Sequence, residues 1–311
     1  MYLTPTFSDA LATRRLPRMR QTVTTCVLAT VLTLLAGCGG SSKTASTTPS
    51  STTAQPVVLD DFFQVEPGRK LHLSCIGSGS VTVLLEAGGG SGSNNWPGAI
   101  TQPLSLQTRV CTYDRAGTGA SDPAPARRRL LVDVRRDLDA LLAAAGVQGR
   151  MLLVGTSFGG EVALDWALHH PTRTAGLVIL DTDWPTGDVN RTPARFTPPA
   201  QRAAEVAGDV WNAAENVEHI DYQATGAQTE AAFRTLPGIP IRIVTAMQSA
   251  ECDATTAACK ARNLALADLQ KQWLRLSPTA VQVRVDAGHD LPEDATDTVL
   301  SEITTALTAA H

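Results

Sequence analysis

Short apolar runs along the chain alternate with stretches in which hydrophobic residues recur every three to four positions, the pattern of strands alternating with amphipathic helices. Residues 57–65 and 71–76 read as two early strands forming an antiparallel start, and 81–86 as a strand buried on both faces. Over 130–145 the residues Leu131, Val134, Leu138, Leu141 and Leu142 make one helical stripe beside Arg135 and Arg136, and Gly146 is a stop signal. Strands follow at 151–155, 175–181, 241–246 and 281–285. A helix from about Phe158 to His170 follows the first of these. Another, from about Ala295 to Ala309, follows the last and carries Val299, Ile303 and Leu307 on one face. This alternation predicts an α/β fold whose mostly parallel central sheet is flanked by helices. Between residues 183 and 238 the period is lost in a proline-rich entry (Pro185, Pro193, Pro198, Pro199), and helical stretches such as 201–214 and 228–234 come after it.

The chemistry concentrates where the strand at 151–155 runs into Gly155-Thr-Ser157-Phe-Gly159 and then into a helix. A serine at the tip of such a turn sits in strained backbone, so its neighbours must be small, which Gly155 and Gly159 satisfy. The following helix points its N-terminus at the Ser157 oxygen, where the Phe158 N–H can stabilise a developing oxyanion. The 81–86 strand ends in Ala87-Gly-Gly-Gly-Ser-Gly92, a run able to bring bare N–H groups close to a ligand and the expected source of a second oxyanion donor. The strand at 281–285 breaks at Asp286-Ala-Gly-His289-Asp290, and a histidine in that loop can reach over the sheet to Ser157. Nucleophile first and histidine last is one known chain order of such machinery. The acid is less obvious. Asp181, ending the strand after the elbow helix, is favoured over Asp253, with Glu251 and Asp183 as further candidates. Glu161 reads as a helix-surface or supporting residue, and His169 and His170 as structural groups at a helix C-terminus.

From about Val57 to the C-terminus these segments resemble the α/β-hydrolase superfamily. The run Val110-Cys-Thr-Tyr-Asp114-Arg115-Ala-Gly117-Thr-Gly119-Ala-Ser121-Asp122 is similar to the strand-and-turn segment after the oxyanion loop in small esterases of that superfamily, and reads as a turn held by the Asp114 and Arg115 side chains. The resemblance implies that the insertion between about 183 and 238 is a helical cap with Trp184, Phe196, Trp211, Tyr222 and Phe233 as its large side chains, most of them core and one or two able to line a pocket. Many relatives carry His-Gly at the oxyanion loop. This chain has Ala87-Gly88, which places the donor N–H on Gly89. The implied activity is serine esterase or lipase-like hydrolysis of a small acyl substrate, with no cofactor and no metal. Amidase, aminopeptidase and C–C hydrolase chemistry with the same groups stand as alternatives, as does a binding protein on a scaffold that has lost catalysis.

The N-terminus bears on location. Arg14, Arg15, Arg18 and Arg20 precede an apolar stretch from Val23 to Leu35 that closes in Leu35-Ala-Gly-Cys38, the pattern of a signal peptide (1–37) ending in a lipobox. Resemblance to bacterial lipoproteins implies cleavage before Cys38 and its lipidation, hence an extracytoplasmic enzyme anchored to the cell membrane. Residues 38–56, rich in Ser and Thr and lacking large apolar side chains, read as a tether to a single domain at 57–311. The formal charge is −4; the four arginines and Asp9 of the leader account for +3, leaving −7 on the remainder, which argues against a nucleic-acid partner. Of six cysteines, Cys26 leaves with the leader and Cys38 takes the lipid. Cys75, Cys111, Cys252 and Cys259 remain as an even set for an oxidising compartment. Three pairings are possible, and Cys75–Cys111 with Cys252–Cys259 is the most economical. The spacing of Cys252 and Cys259 does not suit a zinc site.

Overall fold

A computed structural model describes residues 59–183, 212, 214–248 and 255–311. Eight strands form one sheet: β1 (Leu59–Glu66), β2 (Arg69–Ile76), β3 (Val81–Glu86), β4 (Arg109–Tyr113), β5 (Arg150–Thr156), β6 (Thr174–Leu180), β7 (Ile241–Ala246) and β8 (Val281–Val285), in the order β1-β2-β4-β3-β5-β6-β7-β8. β1 and β2 pair antiparallel, as do β2 and β4; every later pairing is parallel. The antiparallel start and the parallel remainder agree with the reading of the apolar runs.

Two apolar layers clamp the sheet, and the two-residue period of the strands divides them. Leu153 of β5 and Leu177 and Ile179 of β6 face one layer, where they meet α2 (Leu131–Ala144) through Leu138, Leu141 and Leu142 and α3 (Phe158–His169) through Leu164 and Trp166. Their neighbours Leu152, Val154, Val178 and Leu180 face the other, against Ile100 and Leu104 of α1 (Gly98–Ser105) and Val299, Ile303 and Leu307 of α7 (Thr296–Ala310). Each such fully buried aliphatic side chain contributes roughly 1.5–3 kcal/mol of transfer free energy. Gly146 ends α2 with φ of 67°, and the Val147 N–H returns to the Leu142 carbonyl at 2.9 Å. β2 and β4 place Cys75 directly opposite Cys111, and the two form a disulfide.

The differences lie at element edges and in the insertion. β2 begins at Arg69, two residues before the apolar run, because Arg69 folds back onto Asp137 of α2 in a two-pronged ion pair. The helix expected at 228–234 is α4 (Tyr222–Ala232): Asp221 starts it by accepting from the Ala224 N–H at 2.8 Å. An Asx cap of this kind carries less weight in a sequence than an apolar stripe. Of the stretch expected as a helix over 201–214, only 212 and 214 fall among the described residues, and Trp184, Phe196, Trp211 and Cys252 lie outside them. Cys259, in the first turn of α5 (Ala257–Gln270), is disulfide-bonded. No helix among the described residues is long and apolar enough to cross a membrane.

Candidate active site

At the C-terminal edge of β5 the chain turns into α3 through Ser157, whose φ is 52° and ψ −127°. For a non-glycine residue this region costs about 1–3 kcal/mol and persists only where its surroundings impose it. Here the Ser157 N–H donates to the Leu180 carbonyl at 3.0 Å, and the Ser157 carbonyl accepts from the Thr182 hydroxyl at 2.8 Å and the Gly160 N–H at 2.9 Å. The flanking glycines are required by contact. A β-carbon at Gly155 would overlap the Gly159 carbonyl, and one at Gly159 would overlap the carbonyl oxygens of Glu86 and Ala87.

β6 delivers the second group. Asp181, with φ of 40°, follows its last residue and is buried. Its Oδ1 accepts from the Ala246 N–H at 3.0 Å and from Gln270 Nε2 at 3.0 Å. Gln270 is itself oriented by the Thr245 hydroxyl, which donates to its Oε1 at 2.7 Å. With Oδ1 occupied, Oδ2 is left facing His289 Nδ1 at 2.6 Å. The acceptor fixes the proton on Nδ1 and turns Nε2 of His289 outward as the basic nitrogen. The Asp181 hydrogen bond is also the main cause that holds the His289 pKa above its usual 6.5. Of the other acid candidates, Asp183 lines the same cavity and meets Gln270 Nε2 at 3.4 Å, whereas Glu251 and Asp253 lie outside the described residues.

The glycine run after β3 has three N–H groups, and two are occupied. Gly88 donates to Asn95 Oδ1 at 3.1 Å and Gly90 to Glu218 Oε1 at 2.8 Å. That leaves Gly89, whose N–H forms no hydrogen bond among the described residues. The loop is held from below by Arg115, which donates from Nη1 to the Ala87 carbonyl at 2.7 Å and from Nη2 to the Gly88 carbonyl at 2.6 Å. Glu218 clamps the guanidinium at 2.7 and 2.9 Å, and both side chains are almost fully buried. This corrects the expectation that Asp114 and Arg115 together hold their own turn. Asp114 does so, accepting from the N–H groups of Ser93 and Ala120. Arg115 instead reaches the glycine loop and holds the carbonyls of Ala87 and Gly88. Glu218, in the insertion, had no sequence signal.

One cavity of about 400 Å³ gathers Ser157, His289, Asp181, Gly89 and Phe158, together with Glu161, Thr182, Asp183, Tyr222 and Leu266. Tyr222 comes from the insertion and packs edge-on against Phe158 with ring centroids 5.1 Å apart, while Phe233 lies under Arg275. Glu161, open between a place on the helix surface and a supporting one, lies beside the machinery. It faces the cavity, and burial, reinforced by Asp183, pushes its pKa up to about 8. Burial and the neighbouring Asp181 push Asp183 up to about 6. The remaining histidines stand elsewhere: His72 pairs with Asp60 and His169 with the Asp165 carbonyl. Among the described residues no group of three His, Cys, Asp or Glu side chains is placed to hold a metal ion.

Comparison with known proteins places the fold. The uncharacterized protein YqjL of Bacillus subtilis (strain 168) is 35% identical over 105 residues, which are 34% of this chain and 41% of that protein. The 2-hydroxy-6-oxononadienedioate/2-hydroxy-6-oxononatrienedioate hydrolase 1 of Dechloromonas aromatica (strain RCB) is 29% identical over 157 residues, 48% of this chain and 52% of its own length. The chain therefore spans at most about half the length of the curated relatives it matches, from 15% to 52%. Among solved structures, a thermophilic esterase from Thermogutta terrifontis is similar in fold, with a TM-score of 0.55 at 20% identity over 82% of this chain and 99% of that one. The family model for the alpha/beta hydrolase fold matches residues 81–258, more than half of the 311, and the chain belongs to that family.

Proposed function

We propose that the protein is a serine hydrolase that cleaves carboxylic esters through an acyl-enzyme. The observation that carries this reading is the 2.6 Å contact of His289 Nδ1 with Asp181, in the cavity that also holds Ser157 at its strained turn. Ser157 Oγ attacks the carbonyl carbon and gives its proton to His289 Nε2, while the buried Asp181 carboxylate stabilises the imidazolium. The oxyanion takes hydrogen bonds from the N–H groups of Gly89 and Phe158, which are fixed before the charge develops. Collapse expels the alcohol with the proton from Nε2. Water, deprotonated by the same nitrogen, then releases the acid and restores Ser157.

The test is covalent labelling by a neutral fluorophosphonate, followed by hydrolysis of acyl esters of graded chain length. Wild type is expected to label at Ser157, and Ser157→Ala to lose both label and turnover. A protein that does not label, or Ser157→Ala with wild-type turnover, would sink the mechanism. Export and anchoring rest on the leader and Cys38. A mature N-terminus mapped by mass spectrometry to lipidated Cys38 is the expected result, and any other N-terminus refutes it.

A further inference from the structure

The cavity wall beyond the reacting atoms is acidic. Apart from Ser157, His289, Asp181 and the two N–H donors, its lining consists of Glu161, Thr182, Asp183, Tyr222 and Leu266, with no lysine or arginine among the described residues. Both carboxyl groups sit on elements that carry the machinery. Glu161 follows Ser157 by four residues along α3 and therefore stands about one helical turn away on the same face. Asp183 follows Asp181 by two residues and is exposed to the cavity.

Neither carboxyl has an ion-pair partner among the described residues. Glu161 Oε2 is buried and accepts no hydrogen bond, and Asp183 meets only the Gln270 amide, at 3.4 Å. A buried acceptor left unpaired costs about 1–3 kcal/mol. Glu161 Oε2 bears that cost until something in the cavity donates to it, and Asp183, open to the same cavity, stands close enough to act on it.

We infer that the substrate is an ester carrying a protonated amine, seated between Glu161 and Asp183, with its nitrogen on the order of 5–6 Å from the carbonyl attacked by Ser157. The inference rests on the hydrolase reading above. An ammonium between the two carboxyls counters the causes of their raised pKa values: lost solvation at both, then the charge of Asp183 at Glu161 and that of Asp181 at Asp183. The other charged or titratable groups acting on the pair are Asp181, His289 and Arg262 at Asp183, and Tyr222 beside Glu161. Arg262 acts on Asp183 through space, without a hydrogen bond. A carboxylate in the same place would meet Asp183, ionised at neutral pH, which sets this cavity apart from one suited to the dioate in the Dechloromonas relative's name.

Rates on matched methyl esters test the inference, with proton release as the readout and spontaneous hydrolysis subtracted. Methyl 4-aminobutyrate is compared with methyl pentanoate, where a methyl replaces the ammonium, and with monomethyl glutarate, where a carboxylate does. A second arm moves the protonated amine to the alcohol, comparing 2-(dimethylamino)ethyl butyrate with 3-methylbutyl butyrate. In at least one arm kcat/KM for the cationic ester should exceed that of its neutral isostere by tenfold or more, and the glutarate ester should fall below the pentanoate. Glu161→Gln and Asp183→Asn should each bring the cationic-to-neutral ratio toward one, and Glu161→Asp should restore part of it. Independently of turnover, pentylammonium should protect Ser157 from the fluorophosphonate better than pentanol does, and should lose that advantage in Glu161→Gln. Labelling at Ser157 with ratios near one in both arms, or ratios unchanged in the double variant, overturns this inference and leaves the hydrolase reading standing. Absence of labelling overturns both.

Discussion

Replacing Asp181 by Asn changes one atom's chemistry and leaves the shape of the site almost untouched, so its outcome can be worked out from the hydrogen bonds. Oδ1 accepts from two donors, the Ala246 N–H and the Gln270 amide, whereas Oδ2 faces only His289 Nδ1. An asparagine has one oxygen to offer. If that oxygen stays on the two donors, its NH₂ points at His289 and both existing bonds are kept; flipped, the NH₂ meets two N–H donors at once. The first orientation wins because the second leaves buried donors facing each other, at about 1–3 kcal/mol for each unpaired group. The NH₂ then forces His289 to accept at Nδ1, which moves its proton to Nε2, and a protonated Nε2 cannot take a proton from Ser157. The developing imidazolium also loses its carboxylate. The same substitution in a serine protease with this geometry lowers kcat about 10⁴-fold, or roughly 5 kcal/mol, and a loss of that order is expected here.

The assay is kcat for the best ester found, read beside thermal unfolding. Asp181→Asn should melt close to wild type, since Ala246 and Gln270 keep their acceptor. Asp181→Ala should lose both activity and stability, because it strands those two donors. The pH profile gives a second reading. Activity needs neutral His289, whose pKa Asp181 holds above 6.5, so the wild-type acid limb should lie above that value. In Asp181→Asn the residual activity should show its limb at lower pH, as a neutral amide no longer favours the imidazolium. Turnover within tenfold of wild type in a folded Asp181→Asn protein would refute the reasoning. Loss in Asp253→Asn or Glu251→Gln would then move the acid to the cysteine loop.

Two further outcomes follow from the same contacts. Glu218→Gln weakens the clamp on Arg115 under the glycine loop; kcat should fall about 10–100-fold with a smaller change in KM, somewhat less than outright loss of an oxyanion donor, and an unchanged kcat would show that the loop needs no such support. Removing the Cys75–Cys111 disulfide with the Cys75→Ala/Cys111→Ala pair frees a 36-residue separation, and loop entropy puts the loss at about 4 kcal/mol; equilibrium denaturant unfolding checks it, and an unmoved midpoint would contradict the estimate.

The centre of the sheet was legible because its strands are apolar and covered on both faces, so that periodicity and burial agree at residues such as Leu152, Leu153 and Val154. Ser157, His289 and Asp181 could be named for a related reason: each stands at the end of a parallel strand, where a broken apolar run marks the catalytic edge of an α/β sheet. Asp181 could not be ranked cleanly above Asp253, since the choice depends on a positive φ and on Gln270, 89 residues away, turning one oxygen aside. Glu218 was illegible as a site residue because it arrives from an insertion with no period to give it direction, and for the same reason Tyr222 could be named only as one of five large side chains of which one or two line a pocket. Glu161 stayed open between helix surface and supporting residue for a different reason. A charged residue on a helix usually faces solvent, and the pattern of α3 does not reveal that the face one turn from Ser157 opens into a cavity instead of bulk water.

The alanine at position 87 shows how the parts depend on one another. A loop of small residues can approach an oxyanion closely, but an unbraced glycine run loses more conformational entropy on ordering than any other sequence. Each neighbouring element removes part of that freedom: Asn95 takes the Gly88 N–H, Glu218 takes the Gly90 N–H, and Arg115 takes the carbonyls of Ala87 and Gly88. Asn95 also donates to Asp290, beside His289, at 3.2 Å. The loop meant to hold the oxyanion and the loop that carries the histidine are thus tied through one asparagine side chain, while the insertion is tied to the first of them through Glu218. Of the three glycine N–H groups, that of Gly89 is the one left without an acceptor among the described residues. The site is defined as much by the hydrogen bonds that occupy its neighbours as by the one donor they leave open.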